Sequence, residues 1–169
     1  NPAGFVLHST LHDGIDGAHC VMHTHTTAGV AVACLQGGLQ QTNFYSAQLH
    51  DMVAYHDFEG ITIHLEEGPR VLKSIGRKQA VILRNHGLLT SGASVPQAFN
   101  LMYQLEMSCR AQVDAMAAGT QLSIPSKEIL EKSAHLYQPN VRRPYGELEW
   151  HAMLRLLDAE PGGYPHYAS

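Results

Sequence analysis

The sequence predicts an α/β layered domain with a mixed sheet, on three observations. Apolar runs of strand length alternate with segments of helical periodicity. A strand–turn–strand pattern around Asn85-His86-Gly87 makes one pair of strands antiparallel, so the sheet is not purely parallel. A composition 44% apolar and 15% charged over 169 residues gives core enough for one domain and is too apolar for a disordered chain.

The elements follow in order. Phe5 to Leu11 carries apolar residues at helix-compatible spacing, stopped near Gly14. After a turn-rich stretch, Ala18 to Met22 reads as a short buried strand. Thr26 or Thr27 caps a helix from Ala28 to Leu35, which Gly37-Gly38 ends. Ser46 to His50 reads as helix, Met52 to Tyr55 as strand, and Ile61 to Ile63 as a further strand. Pro69 to Ile75 is a short helix with Gly76 just past its end. Gln79 to Arg84 is a central strand that turns at Asn85-His86-Gly87 and returns as Leu88 to Ser91. Ser94 caps the longest helix, Val95 to about Ala118, with Pro96 in its first turn and Gly119 closing it. Ala98, Leu101, Met102, Leu105, Val113 and Met116 give that helix its buried face. Two more helices, Ser126 to His135 and Gly146 to Leu157, precede a Pro/Gly/Tyr tail, about 160–169, that reads as an exposed arm and includes Tyr164 to Tyr167.

Composition excludes some functions. With 11 Lys and Arg against 15 Asp and Glu, there is no cationic surplus to neutralise phosphates, which argues against a nucleic-acid binder. No apolar run approaches the ~20 residues that span a membrane. Cys20, Cys34 and Cys109 are odd in number and widely spaced; they suit a reducing cytoplasm and read as small buried hydrophobes. The chain opens at Asn1-Pro2 without an initiator methionine and is read as part of a longer gene product.

The anomaly is histidine, with 12 in the chain. In His23-Thr24-His25, at the end of a strand, the side-chain period of two points both imidazoles to one face. His86, at the end of another strand and before Gly87, is the third member of a candidate metal site. Three imidazoles with an open position are the ligand set of catalytic rather than structural zinc, although neutral imidazole also suits Fe, Co, Ni or Cu. A cupin shares the H-x-H but needs an all-β barrel, against which the long helix speaks; no H-E-x-x-H is present. His8 and His12 lie one helical turn apart and are candidate neighbours or substrate contacts. His19, His50, His56, His64, His135, His151 and His166 receive no site role.

Four ordered segments carry a family resemblance: Asn1-Pro2-Ala3-Gly4-Phe5 leading to Leu7-His8; Val21-Met22-His23-Thr24-His25-Thr26; Val53-Ala54-Tyr55-His56-Asp57-Phe58-Glu59-Gly60; and Leu83-Arg84-Asn85-His86-Gly87-Leu88. Over roughly Asn1 to Gly119 the chain resembles the class II aldolase/adducin family, and most of all its adducin-like bacterial members. The resemblance implies a three-layer α/β/α domain around a mixed, largely antiparallel central sheet, with 1–169 a single such domain lacking its N-terminal part. It implies a divalent metal, Zn²⁺ first and Mn²⁺, Fe²⁺ or Co²⁺ as alternatives, held by His23, His25 and His86. It further implies lyase chemistry on a small hydroxy-carbonyl, sugar-derived compounds included, through a metal-stabilised enediolate.

Two departures stand out. The glutamate that serves as acid/base in the family's sugar-phosphate aldolases falls on Gly4, and their paired serines fall on Pro2 and Ala3. His8, His12 or a neighbouring subunit is left to move the proton, and Tyr45 is the nearest match to a family tyrosine that follows the H-x-H. No organic cofactor is implied. Assembly as a homotetramer is implied by resemblance alone. The alternatives are a family epimerase, decarboxylase or dehydratase, and a non-catalytic adducin-like interaction module.

Overall fold

The computed structural model describes residues 2–60, 65–139, 141–143 and 145–160. The strand expected at Ile61–Ile63, His64, His166 and the tail beyond residue 160 lie outside the described residues. The elements are α1 (Pro2–Gly14), β1 (Cys20–Thr24), α2 (Thr27–Ala33), α3 (Phe44–Ala47), β2 (Val53–His56), α4 (Gly68–Ile75), β3 (Ala80–Leu83), β4 (Gly87–Gly92), α5 (Val95–Ala117), α6 (Lys127–Tyr137) and α7 (Glu147–Ala159), with a single 3₁₀ turn at Leu65–Glu67 before α4.

Four strands form one sheet in the order β1-β4-β3-β2. β1 and β3 both pair antiparallel with β4, while β2 pairs parallel with β3. The mixed, largely antiparallel sheet is therefore as expected. Its faces are covered differently. Ala80, Ile82, Leu88 and Val53 pack with Val32 of α2 and with Leu101 and Leu105 of α5. Val81, Leu83, Leu89 and Ala54 pack with Leu7 and Leu11 of α1 and with Val71 and Ile75 of α4. Alternate residues of one strand feed opposite cores, giving three layers. β3 is buried on both faces, which is why Ala80-Val81-Ile82-Leu83 is apolar without alternation.

Several boundaries shift for identifiable reasons. β1 runs two residues later than expected, because Ala18 gives its carbonyl to the His12 ring (2.6 Å) and ladder pairing runs from Cys20–Gly92 to Thr24–Leu88. α3 starts before Ser46: Asn43 accepts from the backbone N–H groups of Tyr45 and Ser46, both at 3.0 Å, in a capping box. Thr26, rather than Thr27, caps α2 by accepting from Gly29 N–H. The caps expected for α5 are present, Ser94 accepting from Gln97 N–H and Gly119 taking a positive φ. Met116 is exposed rather than buried. A 23-residue helix rises about 35 Å at ~1.5 Å per residue and outruns strands of four to six residues. Of the cysteines only Cys109 is buried; Cys20 is intermediate, and Cys34, at the C-cap of α2, is exposed.

Candidate metal centre

Register builds the site. Antiparallel pairing sets His23 opposite Leu89 and Thr24 opposite Leu88, so the H-x-H runs beside the start of β4. The residues before β4 form the turn from β3, closed by His86 N–H donating to the Leu83 carbonyl (3.1 Å). Asn85 takes φ 56°, a left-handed conformation that asparagine tolerates. The turn is pinned by Asn85 N–H to the Ala33 carbonyl and by Arg84 N–H to the His56 carbonyl. Gly87 is required by space: a Cβ there would lie 2.3 Å from the Thr24 carbonyl oxygen and 3.1 Å from the His25 ring. The two strands touch at this glycine, and His86 comes to lie against the H-x-H.

The three rings converge through their Nε2 atoms. His23 Nε2 is 2.8 Å from His25 Nε2 and 3.2 Å from His86 Nε2, and one ring nitrogen of each lies within 4.8 Å of the others. His23 Nδ1 lies 2.8 Å from the Leu88 carbonyl, which can only accept, so the proton is on Nδ1 and the Nε2 lone pair faces its neighbours. Burial pushes the His23 imidazole down to about 4; the Leu88 hydrogen bond opposes this, and the His86, His25 and His8 rings add to it. His86 is also lowered, by burial and by His25, with Glu67 opposing. Near neutral pH both are uncharged imidazoles, the form that ligates a metal. The single lone pair at His23 Nε2 can accept from at most one of the two neighbouring Nε2 atoms. A cation satisfies all three nitrogens, and in this sense the donor set fits a divalent ion.

The other predicted residues divide. His8 lies near enough to depress His23 electrostatically, and its own value is lowered by burial and by His12. His12 faces His8 at 6.5 Å between ring centroids but donates through Nδ1 to Ala18. Tyr45 stands on α3, its ring edge-on to Phe44 and its carbonyl accepting from Gln104, on the α5 side. At Gly4 a Cβ would meet nothing within 4 Å, so that position holds open space.

Sequence reasoning missed a neighbour. His56, at the end of β2, is 6% exposed. Its Nδ1 lies 3.0 Å from Ser74 Oγ, which itself donates to the Arg70 carbonyl, so Nδ1–H donates to the hydroxyl. Its Nε2 faces Glu67 at 3.4 Å and Glu59 at 3.9 Å. His56, Glu59, Glu67 and His86 line one small cleft. The available signal was positional: parallel β2 and β3 end on the same sheet edge, where α/β folds collect their polar groups.

Residues 1–113 match the family model described as Class II Aldolase and Adducin N-terminal domain. A Pseudomonas aeruginosa protein provisionally named as a class 2 aldolase is 36% identical over 167 residues, covering 97% of this chain and 64% of that protein. Alpha-adducin of Mus musculus is 35% identical, over 98% of this chain and 24% of its own length. A crystal structure of an aldolase II superfamily protein from Pseudomonas syringae superposes with TM-score 0.86 at 37% identity, covering 92% of this chain and 62% of that one. An L-fuculose 1-phosphate aldolase from Glaciozyma antarctica PI12, 24% identical, shares the fold at TM-score 0.78, over 92% of this chain and 59% of its own. The chain thus spans a little under two thirds of the P. aeruginosa relative it matches. With the family model covering residues 1–113 and a mixed sheet that superposes on its solved members, this chain belongs to the class II aldolase and adducin family.

Proposed function

We propose that the chain carries the metal centre of a divalent-metal-dependent, lyase-type enzyme acting on a small hydroxy-carbonyl compound. The observation that carries this reading is the convergence of three Nε2 atoms, from residues as far apart as 23 and 86, with Nδ1 of His23 committed to a backbone carbonyl. His23, His25 and His86 would hold the ion, with Zn²⁺ first for three imidazoles and Mn²⁺, Fe²⁺ or Co²⁺ as alternatives. Bound there, it supplies Lewis acidity toward a hydroxy-carbonyl oxygen.

The protein's own residues do the rest. The Leu88 carbonyl fixes the His23 tautomer and ring angle. Gly87 lets β4 approach Thr24 closely enough to bring His86 to the pair. Gly4 supplies no carboxylate, so we assign proton movement to His8, a partly buried imidazole held uncharged beside His23. His12 and Tyr45 are secondary candidates. We propose that 1–169 is one domain and that it assembles as a homotetramer, to be checked by light scattering. A monomer would remove the tetramer and leave the metal centre standing.

The test is metal analysis of protein purified without added ions, alongside aldol-cleavage assays on a panel of hydroxy-ketones and hydroxy-aldehydes. About one equivalent of metal is expected per chain, falling below about a tenth in a folded His86→Ala variant. Protein that never exceeds a tenth of an equivalent, even after incubation with Zn²⁺ and Mn²⁺, overturns the reading. A second reading, an adducin-like interaction module that kept the fold without catalysis, is favoured by Gly4. It predicts bound metal without turnover of any compound in the panel.

A further inference from the structure

On the far side of α5 from the core face lies a half-open cavity of about 670 Å³, bordered by the loop before α3, α3 itself, α5, α6 and the start of α7. It shares no lining residue with the three imidazoles. Its size falls within the ~300–1,000 Å³ of small-molecule sites, and its wall has their makeup: apolar body, few polar groups. Buried Ala47 and the exposed Phe44, Tyr103, Ile129 and Leu136 supply the apolar part.

Asn100 donates to the Tyr137 hydroxyl and Gln104 to the Tyr45 carbonyl, but other polar atoms of the lining are left without a partner among the described residues. The Tyr145 side chain is 9% exposed, and its hydroxyl lies beside Tyr137 and Asn100 without a hydrogen bond of acceptable geometry among the described residues. Thr42 Oγ1, Asn43 Nδ2 and Glu149 Oε2, all from lining residues, are likewise buried and without a hydrogen-bond partner there. Leaving such a group unmatched is costly, so four around one cavity are better explained by a ligand than by packing. On α5, Asn100 and Gln104 are each 7% exposed and stand one turn apart on the cavity wall. Burial pushes the Tyr137 phenol up to about 12 and raises Tyr145 further, so both remain O–H groups.

Charge narrows the class. Arg143 is paired with Glu149, whereas Arg142 is exposed, lines the cavity and has no ion-pair partner among the described residues. Arg142 and the Asn43 amide call for an acceptor, best a carboxylate, because arginine binds it in a fixed fork. The buried Glu149 oxygen calls for a donor.

We propose that this cavity is a second binding site, separate from the metal centre, for an organic acid with an apolar body that also carries a hydroxyl or N–H donor. The carboxylate meets Arg142 and Asn43, the body lies against Phe44, Tyr103 and Leu136, and the donor reaches Glu149 with Tyr145 alongside.

The test uses the full chain and 8-anilinonaphthalene-1-sulfonate, an aromatic anion whose fluorescence rises in apolar sites. Saturable one-to-one binding is expected, with displacement by 4-hydroxyphenylacetate at about tenfold lower concentration than by phenylacetate, which lacks the donor, or by tyrosol, which lacks the acid. Arg142→Gln should erase the advantage over tyrosol, and Glu149→Gln should shrink the advantage over phenylacetate. Ser133→Trp should block the cavity, while His23→Ala should leave displacement unchanged and so separate the two sites. Equal displacement by all three compounds overturns the proposal, as does undiminished dye binding in a folded Ser133→Trp variant. Binding seen in this chain but lost in a longer native product containing it also overturns it, since the cavity would then be filled by a segment of the same protein.

Discussion

A cluster of three histidines and a single buried histidine stand at the same end of one sheet, and the contrast between them supports the proposed metal centre. His56 pairs in register with Leu83, three residues before His86, so the β2 ring and the turn ring are near neighbours. In both groups a ring is fixed through Nδ1: His23 donates to the Leu88 carbonyl and His56 to the Ser74 hydroxyl. The difference lies at Nε2. For His56 it faces the Glu67 and Glu59 carboxylates at 3.4 and 3.9 Å, without a hydrogen bond among the described residues. For His23 it faces two further imidazoles and, among the described residues, no acid. A buried imidazole bonded to a serine and set against two carboxylates has acceptors of opposite charge beside it, whereas three imidazoles against one another offer the donor set that suits a divalent ion.

The contrast can be broken from the ligand side without touching a ligand. Gly87→Ala places a methyl within 2.3 Å of the Thr24 carbonyl oxygen and forces β1 and β4 apart at the point where they present His25 and His86. Metal affinity should fall about 10–100-fold, the range for losing support behind a ligand. The check is competitive titration against a chromogenic zinc chelator, with circular dichroism confirming the fold. An unchanged affinity would mean that the three rings find a metal without the Gly87 contact.

The reciprocal change is His56→Ala. It removes the Nδ1–Ser74 hydrogen bond and leaves Glu67, 8% exposed, without the imidazole 3.4 Å away. A cost of about 1–3 kcal/mol is expected for removing a buried hydrogen bond, hence a Tm several degrees lower, with metal content per folded chain unchanged. Thermal melts and metal analysis on the same preparation decide it. If metal is lost while the fold persists, the two groups are one site and the contrast fails.

How much of this could be read from residues alone follows from range. The apolar run Ala80–Leu83, the Asn85-His86-Gly87 turn and the Ser94–Pro96 helix start are local signals, and each element formed where expected. The H-x-H needed only the strand period, although β1 proved to extend through His23 itself. The meeting of His23 with His86 depends on β1–β4 register across more than sixty residues, so the candidate set rested on residue type until the pairing was seen. Nothing local marked His56, because Ser74 and Glu67 reach it from the segment between β2 and β3. Cys34 and Met116 were misread for a related cause: apolar neighbours in sequence do not reveal where a helix leaves the core.

The smallest effect is expected at the rim of the His56 group, and it tests where that group ends. Arg70 grips Glu59 through Nε and Nη2, and the hydrogen bond holds the Glu59 carboxyl below the ordinary carboxylate range. A lowered acid contributes stability above its ordinary titration range and loses it as pH falls through the folded value. Both partners are reached by solvent, so screening should make the pair weak. Arg70→Ala should therefore shift Tm at pH 7 far less than His56→Ala, and the difference from wild type should vanish in about 1 M salt or once Glu59 is protonated. Melts at two salt concentrations and two pH values measure this. An Arg70→Ala loss as large as that of His56→Ala, and insensitive to salt, would show that Glu59 acts through its 3.9 Å approach to His56 as part of the buried unit. The boundary between structural and ligand histidines would then lie one residue shell further out than His56 and Glu67 place it.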